Sequence, residues 1–175
     1  MKRTVFFQIL SFFALAIFFS FSSCAQNAPK SPAATATGKI GTANIAINYS
    51  SPAVNGRKIW GELVPYDKVW RAGANTATSI ETDKDIIIEG KKLPAGKYSF
   101  FATPGEKEWT IILNSETGQW GIKSGQANRD PAKDVLTAVV KPRQSASLNE
   151  RLAYVVNKDG IVLQWENLEV PIAVK

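Results

Sequence analysis

The chain of 175 residues contains no histidine and a single cysteine. Without histidine there is no Ser-His-Asp triad, no Cys-His pair, no imidazole base and no histidine-ligated metal. Cys24 lies at the end of a leader-like segment, which removes thiolate catalysis and thiolate metal sites and leaves no disulfide within the domain. Neither GxGxxG nor GxxxxGK[ST] occurs, so nucleotide binding by those loops is excluded. No run of basic residues exceeds two, and no nucleic-acid footprint emerges. Carboxylate chemistry, a Ser-Lys arrangement or an oxygen-only cation site are what remain. The reading is of a chain with no cofactor and no metal.

What is present begins with "MKRTVFFQILSFFALAIFFSFSSCAQ". A basic start, Lys2-Arg3, precedes an apolar run to Phe21 and then the small residues Ser22-Ser23-Cys24-Ala25. That order is a secretory signal, and the interruptions at Gln8, Ser11 and Ser20 make the run marginal as a span. "FSSC" resembles a lipobox, in which Cys24 becomes the lipid-modified first residue, while Ser23-Cys24-Ala25 also fits a cleavage signal that would discard the cysteine. The expectation is a signal peptide over residues 1–23 and a lipid anchor on Cys24. Of 21 basic residues, the loss of Lys2 and Arg3 leaves 19 against 15 acidic ones, a mildly basic mature chain. Residues 24–38, "CAQNAPKSPAATATG", are small, polar and proline-bearing, and read as a flexible tether.

Residues 39–175 read as one all-β domain, an antiparallel β-sandwich (jelly-roll-like) or a barrel of eight to ten short strands. "NIAINYS" places Ile45, Ile47 and Tyr49 on one face, and "TSIETDKDIIIEG" gives two short strands about Asp83-Lys84. In "LPAGKYSFFATPGEKEWTIILN", Tyr98, Phe100 and Ala102 alternate, Pro104-Gly105 reverses the chain, and Trp109, Ile111 and Leu113 return on one face. "RLAYVVNKDGIVLQWENLEV" is a second hairpin turning at Asn157–Gly160, with Ile161, Leu163 and Trp165 sharing a face. "KSGQANRDPAKDV" (123–135) reads as the long irregular connection.

Candidate functional residues concentrate in "GRKIWGELVPYDKVWRAGANTATS" (56–79), where aromatic, charged and amide side chains crowd together without a helix or strand period. Trp109 and Trp165 follow strand alternation and belong to the core; Trp60, Trp70 and Trp120 flank glycines and offer either a stacking platform or burial beneath loops. Arg71 and Asn75 suit two roles, bracing buried backbone carbonyls or orienting a polar ligand. Glu62 and Asp67 are the candidate carboxylate pair for glycoside hydrolysis, or else solvated partners of nearby cations. Asn128, Asp130 and Asp134 lack the glycine and distal glutamate of an EF-hand loop and read as a solvated loop.

"SPAVNGRKIWGELVPYDKVWRAGANTATSI", "IEGKKLPAGKYSFFATPGEKEWTIILN" and "QWG" together resemble the DUF2911 family, secreted or lipid-anchored proteins mainly of Bacteroidetes with undetermined function. The resemblance covers most of residues 40–170 and implies a single folded unit outside the cytoplasm; it supplies no catalytic residues. The expected function is a non-enzymatic module of a Gram-negative cell envelope, lipid-anchored or periplasmic. It would bind a carbohydrate or an envelope protein through Trp60, Tyr66, Trp70, Arg71, Asn75 and Trp120. The alternatives are a carboxylate-dependent hydrolase of glycans and a structural subunit of an envelope complex.

Overall fold

A computed structural model describes residues 30–175; the expected signal peptide and the expected lipid anchor on Cys24 fall outside the described residues. The chain is all-β, as its alternation requires. Among the described residues there are twelve strands, and the only helical element is a single 3-10 turn, Pro131–Lys133.

Six strands form one antiparallel sheet in the order β1 (Ala33–Ile40), β2 (Ala43–Ser50), β3 (Ser79–Thr82), β6 (Gly96–Thr103), β7 (Trp109–Asn114) and β10 (Asp134–Val140). Two long strands, β11 (Arg143–Asn157) and β12 (Gly160–Ala173), pair as a separate ribbon. Two short hairpins, β4 (Ile86–Ile88) with β5 (Lys91–Leu93) and β8 (Ile122–Lys123) with β9 (Gln126–Ala127), complete the set. The two layers are therefore unequal, six strands against two, in place of the paired four-stranded sheets of a jelly roll.

Period-two alternation makes this packing possible, because residues two apart share a face. Ile45, Ile47, Phe100, Ile111 and Leu113 from the sheet meet Leu152, Tyr154, Leu163, Trp165 and Ile172 from the ribbon in one core. At about 25 cal/mol per Å² of apolar surface removed from water, this interlayer seam is the main favourable term in the fold. The ribbon's turn is the one expected at Asn157–Gly160, and the Asn157 side chain accepts from Asp159 N at 2.9 Å to close it.

Two expectations change. Residues 33–38 are not tether: they form most of β1, in register with β2 from Ala33↔Ser50 to Ile40↔Ala43. "AATATG" alternates only small side chains, so it shows no hydrophobic contrast, yet backbone pairing on an edge strand asks for none. The 123–135 connection is also more ordered than expected. It holds the β8–β9 hairpin, the 3-10 turn and the start of β10. Ser124 and Gly125 both take positive φ (51° and 79°), the backbone of the two-residue turn that suits a tight hairpin.

The far edge of the main sheet is β10, which turns Val135, Thr137 and Val139 to solvent. The β4–β5 hairpin reaches this edge, where Lys91 Nζ donates to the Thr137 carbonyl at 2.7 Å. The hairpin is tied to the C-terminus by reciprocal bonds between Ile87 and Lys175 of 2.7 and 2.9 Å.

Candidate functional site

The segment linking β2 to β3 crosses one end of the sandwich, and local hydrogen bonds give it a fixed path. Val64 N donates to Ile59 O and Gly61 N to Val64 O, both at 2.9 Å, folding the chain back on itself after Trp60. Trp70 then pairs with Ala102 of β6 through bonds of 2.7 and 2.9 Å. Extended backbone sends successive side chains to opposite sides, so Trp70 turns inward and Arg71 outward.

On the inner side four tryptophans meet. Trp60 lies edge-on to Trp109 (ring centroids 4.8 Å), to Trp165 (5.7 Å) and to Trp70 (5.8 Å), while Trp70 stacks on Trp165 at 5.8 Å and 16°. Such offset and edge-to-face pairs each add about 0.5–1.5 kcal/mol beyond area burial. The indole N–H groups of Trp60, Trp109 and Trp165 are sealed within this aromatic packing without a hydrogen-bond acceptor. Of the two roles open to Trp60, Trp70 and Trp120, burial is the one Trp60 takes, and Trp70 packs half-buried against the core, because β7 and β12 bring Trp109 and Trp165 under them. Tyr66 packs its ring against Gly61 and the same core.

On the outer side Arg71, Asn75 and Trp120 come together. Gly121 N donates to Asn75 O at 2.9 Å, Ala77 N to Gln119 O at 3.0 Å, and Thr76 bridges Trp120, so the 71–78 loop and the 119–121 strip run side by side. Asn128 fixes the strip from behind, donating Nδ2 to Trp120 O at 2.9 Å and its backbone N–H to Gly121 O at 3.0 Å. Gly121 is required by close approach. A Cβ there would overlap Arg71 Cδ and lie 2.8 Å from the Asn75 carbonyl. Trp120, by contrast with the four core tryptophans, is 60% exposed.

Arg71 and Asn75 differ in the hydrogen bonds they make. Asn75, in left-handed backbone (φ 57°), donates Nδ2 to Ser31 O and Ser50 Oγ, each at 3.3 Å, and so braces the start of the folded chain. Arg71 braces none of the described residues. Its Nε is sealed from solvent without a partner, and its terminal nitrogens have no acceptor among the described residues. The other four arginines among the described residues all donate: Arg57 to Ala53 and Val54 carbonyls, Arg129 to Asp134, Arg143 to Glu169 and Arg151 to Ser51 O. Desolvation lowers the Arg71 pKa from its ordinary value, the mark of a cation held partly out of water without compensation.

The loop's position also depends on Tyr154, a residue the sequence did not single out. Its buried hydroxyl donates to Ala72 O at 2.7 Å, and Thr78 Oγ1 donates to the same carbonyl at 2.9 Å. Burial raises the Tyr154 pKa well above its usual value, so the phenol stays protonated and donating. Only the tertiary structure brings β11 to this loop, so no local pattern reveals the contact.

Beside the strip lies an open cleft of about 460 Å³ whose lining, apart from Ala127, is polar, including Lys123, Gln126 and Asn128. Neither Glu62 nor Asp67 lines it. Glu62 is exposed and pairs with Lys58 at 3.2 Å, and Asp67 is exposed at a turn with φ 58°. Asp130 caps the 3-10 turn by accepting from Ala132 N at 3.0 Å, and Asp134 accepts from Arg129 and from Asn114 Nδ2. Among the described residues no three His, Cys, Asp or Glu side chains gather as metal ligands.

No curated protein and no solved structure matches the chain. A family sequence profile does, over residues 31–174, starting at the serine whose carbonyl Asn75 holds. That span takes in the four-tryptophan core, the Arg71 loop, the Trp120 strip and the ribbon alike, and the chain therefore belongs to the family described as a protein of unknown function, DUF2911.

Proposed function

We propose that this chain is a non-enzymatic module of a Gram-negative cell envelope, held to the membrane by a lipid on Cys24, that binds a ligand or partner on the face built by Arg71 and Trp120. The observation that carries the reading is the half-buried Arg71 guanidinium, which alone among the described arginines has no acceptor. Leaving a charged donor partly desolvated and unpaired costs stability, and such costs are retained where a group serves a ligand. The neighbouring exposed indole of Trp120 supplies the apolar area a bound molecule would cover. Trp60, Tyr66 and Trp70 support this face from beneath, and Asn75 shapes it.

Two measurements test the proposal. Thermal-shift screening of envelope glycan and protein fractions should find a fraction that raises the melting temperature of the wild-type chain and not of an Arg71→Met/Trp120→Ala variant. Equal stabilisation of both chains would place binding elsewhere. For the anchor, Cys24→Ser should move the protein from the membrane fraction to the soluble one, whereas a mature terminus at Gln26 by intact mass would overturn it.

A further inference from the structure

We infer that the ligand of the Arg71–Trp120 face is a carboxylate-bearing sugar chain, an acidic oligosaccharide; the inference rests on the binding role proposed for that face. Three features select the chemistry. First, the free part of Arg71 is its terminal fork, with the stem pinned across Gly121 and Nε sealed. A guanidinium so restrained loses little freedom on binding, and its two parallel N–H donors match the two oxygens of a carboxylate. Second, the residues that build the face, Arg71, Asn75, Thr76, Trp120 and Gly121, carry one formal charge between them. One cation balances one carboxylate, whereas a phosphate of charge near two would leave its second charge unmatched.

Third, the apolar and polar surfaces are laid out as a sugar requires. Trp120 presents an indole on which the C–H face of a pyranose ring packs, as any flat apolar surface does against an aromatic one. Asn128 joins the Trp120 strip directly to the rim of the polar cleft that holds Lys123, Ser124 and Gln126. A polyhydroxylated chain leaving the indole would meet amide and hydroxyl groups in that cleft, with the cations Lys123, Arg129 and Lys133 outnumbering the carboxylates Glu116 and Asp130, while a lipid tail or an apolar peptide would find only Ala127. The acid sits on Arg71, its ring on Trp120, and the adjoining residues run into the cleft.

The experiment uses the mature chain with Cys24→Ser, titrated calorimetrically with a sugar tetramer bearing one carboxylate (xylotriose carrying a single glucuronic acid), its methyl ester and inorganic phosphate. Acrylamide quenching of tryptophan fluorescence follows Trp120. The acid tetramer should bind and shield Trp120, the ester should bind at least tenfold more weakly, and Arg71→Met should remove that preference. Arg71→Met keeps the stem's packing, so a loss of preference in a chain that melts normally is not a folding failure. Trp120→Ala should weaken acid and ester alike. If ester and acid bind equally and Trp120→Ala abolishes both, the carboxylate inference falls and the face stands. If the acid binds but neither substitution matters, the face falls with it. Displacement by phosphate at equal concentration, or no binding by any tetramer, also overturns the acidic sugar.

Discussion

The β2–β3 segment has an inner side and an outer side, and unpartnered polar groups occur on both. Inside, three indole N–H groups lack acceptors, yet each belongs to a ring surrounded by other rings. Outside, Arg71 lacks an acceptor in a place where solvent and any solute can reach it. The difference is accessibility. A neutral donor sealed in aromatic packing costs a modest hydrogen bond and gains contact area, whereas a partly desolvated cation at an open face loses hydration with nothing gained in the free protein. The inner side is accounted for by stability, and for the outer side our proposal supplies the account, a molecule that binds there.

The largest effect should therefore come from the inner side. Trp109→Ala removes a fully buried ring from the cluster and should cost about 3–5 kcal/mol, a fall in melting temperature on the order of 10 °C by calorimetry. A loss below about 1 kcal/mol would mean that the cluster is not the keystone of this end of the domain. Next comes Gly121→Ala, which sets a methyl group against Arg71 and the Asn75 carbonyl and should cost about 1–3 kcal/mol while abolishing binding at the face. An unchanged melt would show that the strip has room to move, and the comparison would lose its geometric basis.

Tyr154→Phe should cost about 1 kcal/mol, since Ala72 O keeps its bond from Thr78. Its pH dependence sharpens the point. The folded pKa is raised, so the unfolded chain releases the phenolic proton first; stability is complete below about pH 10 and falls as pH rises beyond it. Denaturant melts from pH 8 to 11 should show that alkaline loss reduced in Tyr154→Phe. The smallest effect belongs to Arg71→Met, which should change stability by less than about 0.5 kcal/mol, and upward, because a desolvated charge goes while the packed stem stays. A loss as large as that of Gly121→Ala would make Arg71 structural and remove the contrast between the two sides.

How much of this was legible in the sequence follows from which forces are local. Ile45 and Ile47 in β2, the Pro104-Gly105 reversal, and the Asn157–Gly160 turn all appear as patterns within a few residues, and all are found where alternation and turn chemistry put them. β1 was hidden because alanine and threonine alternate without contrast. Trp60 and Trp70 were visible as candidates, but their burial depends on Trp109 and Trp165 arriving from β7 and β12, a tertiary fact. For Arg71 and Asn75, composition offered two roles, and the fold shows the bracing one for Asn75. The signature stretch was thus located from sequence, while the direction each side chain faces was not.

The bond from Lys91 to Thr137 has a consequence for how copies of the chain tolerate one another. An edge strand bearing Val135, Thr137 and Val139 is a template on which another strand can pair when copies meet. Lys91 occupies one of the template's carbonyls and sets a positive charge beside it, so an approaching edge meets both a missing acceptor and a charge to be desolvated. Lys91→Ala reopens that edge, and crowding then becomes self-association, seen as sedimentation that quickens with concentration while the fold of each copy stays unchanged.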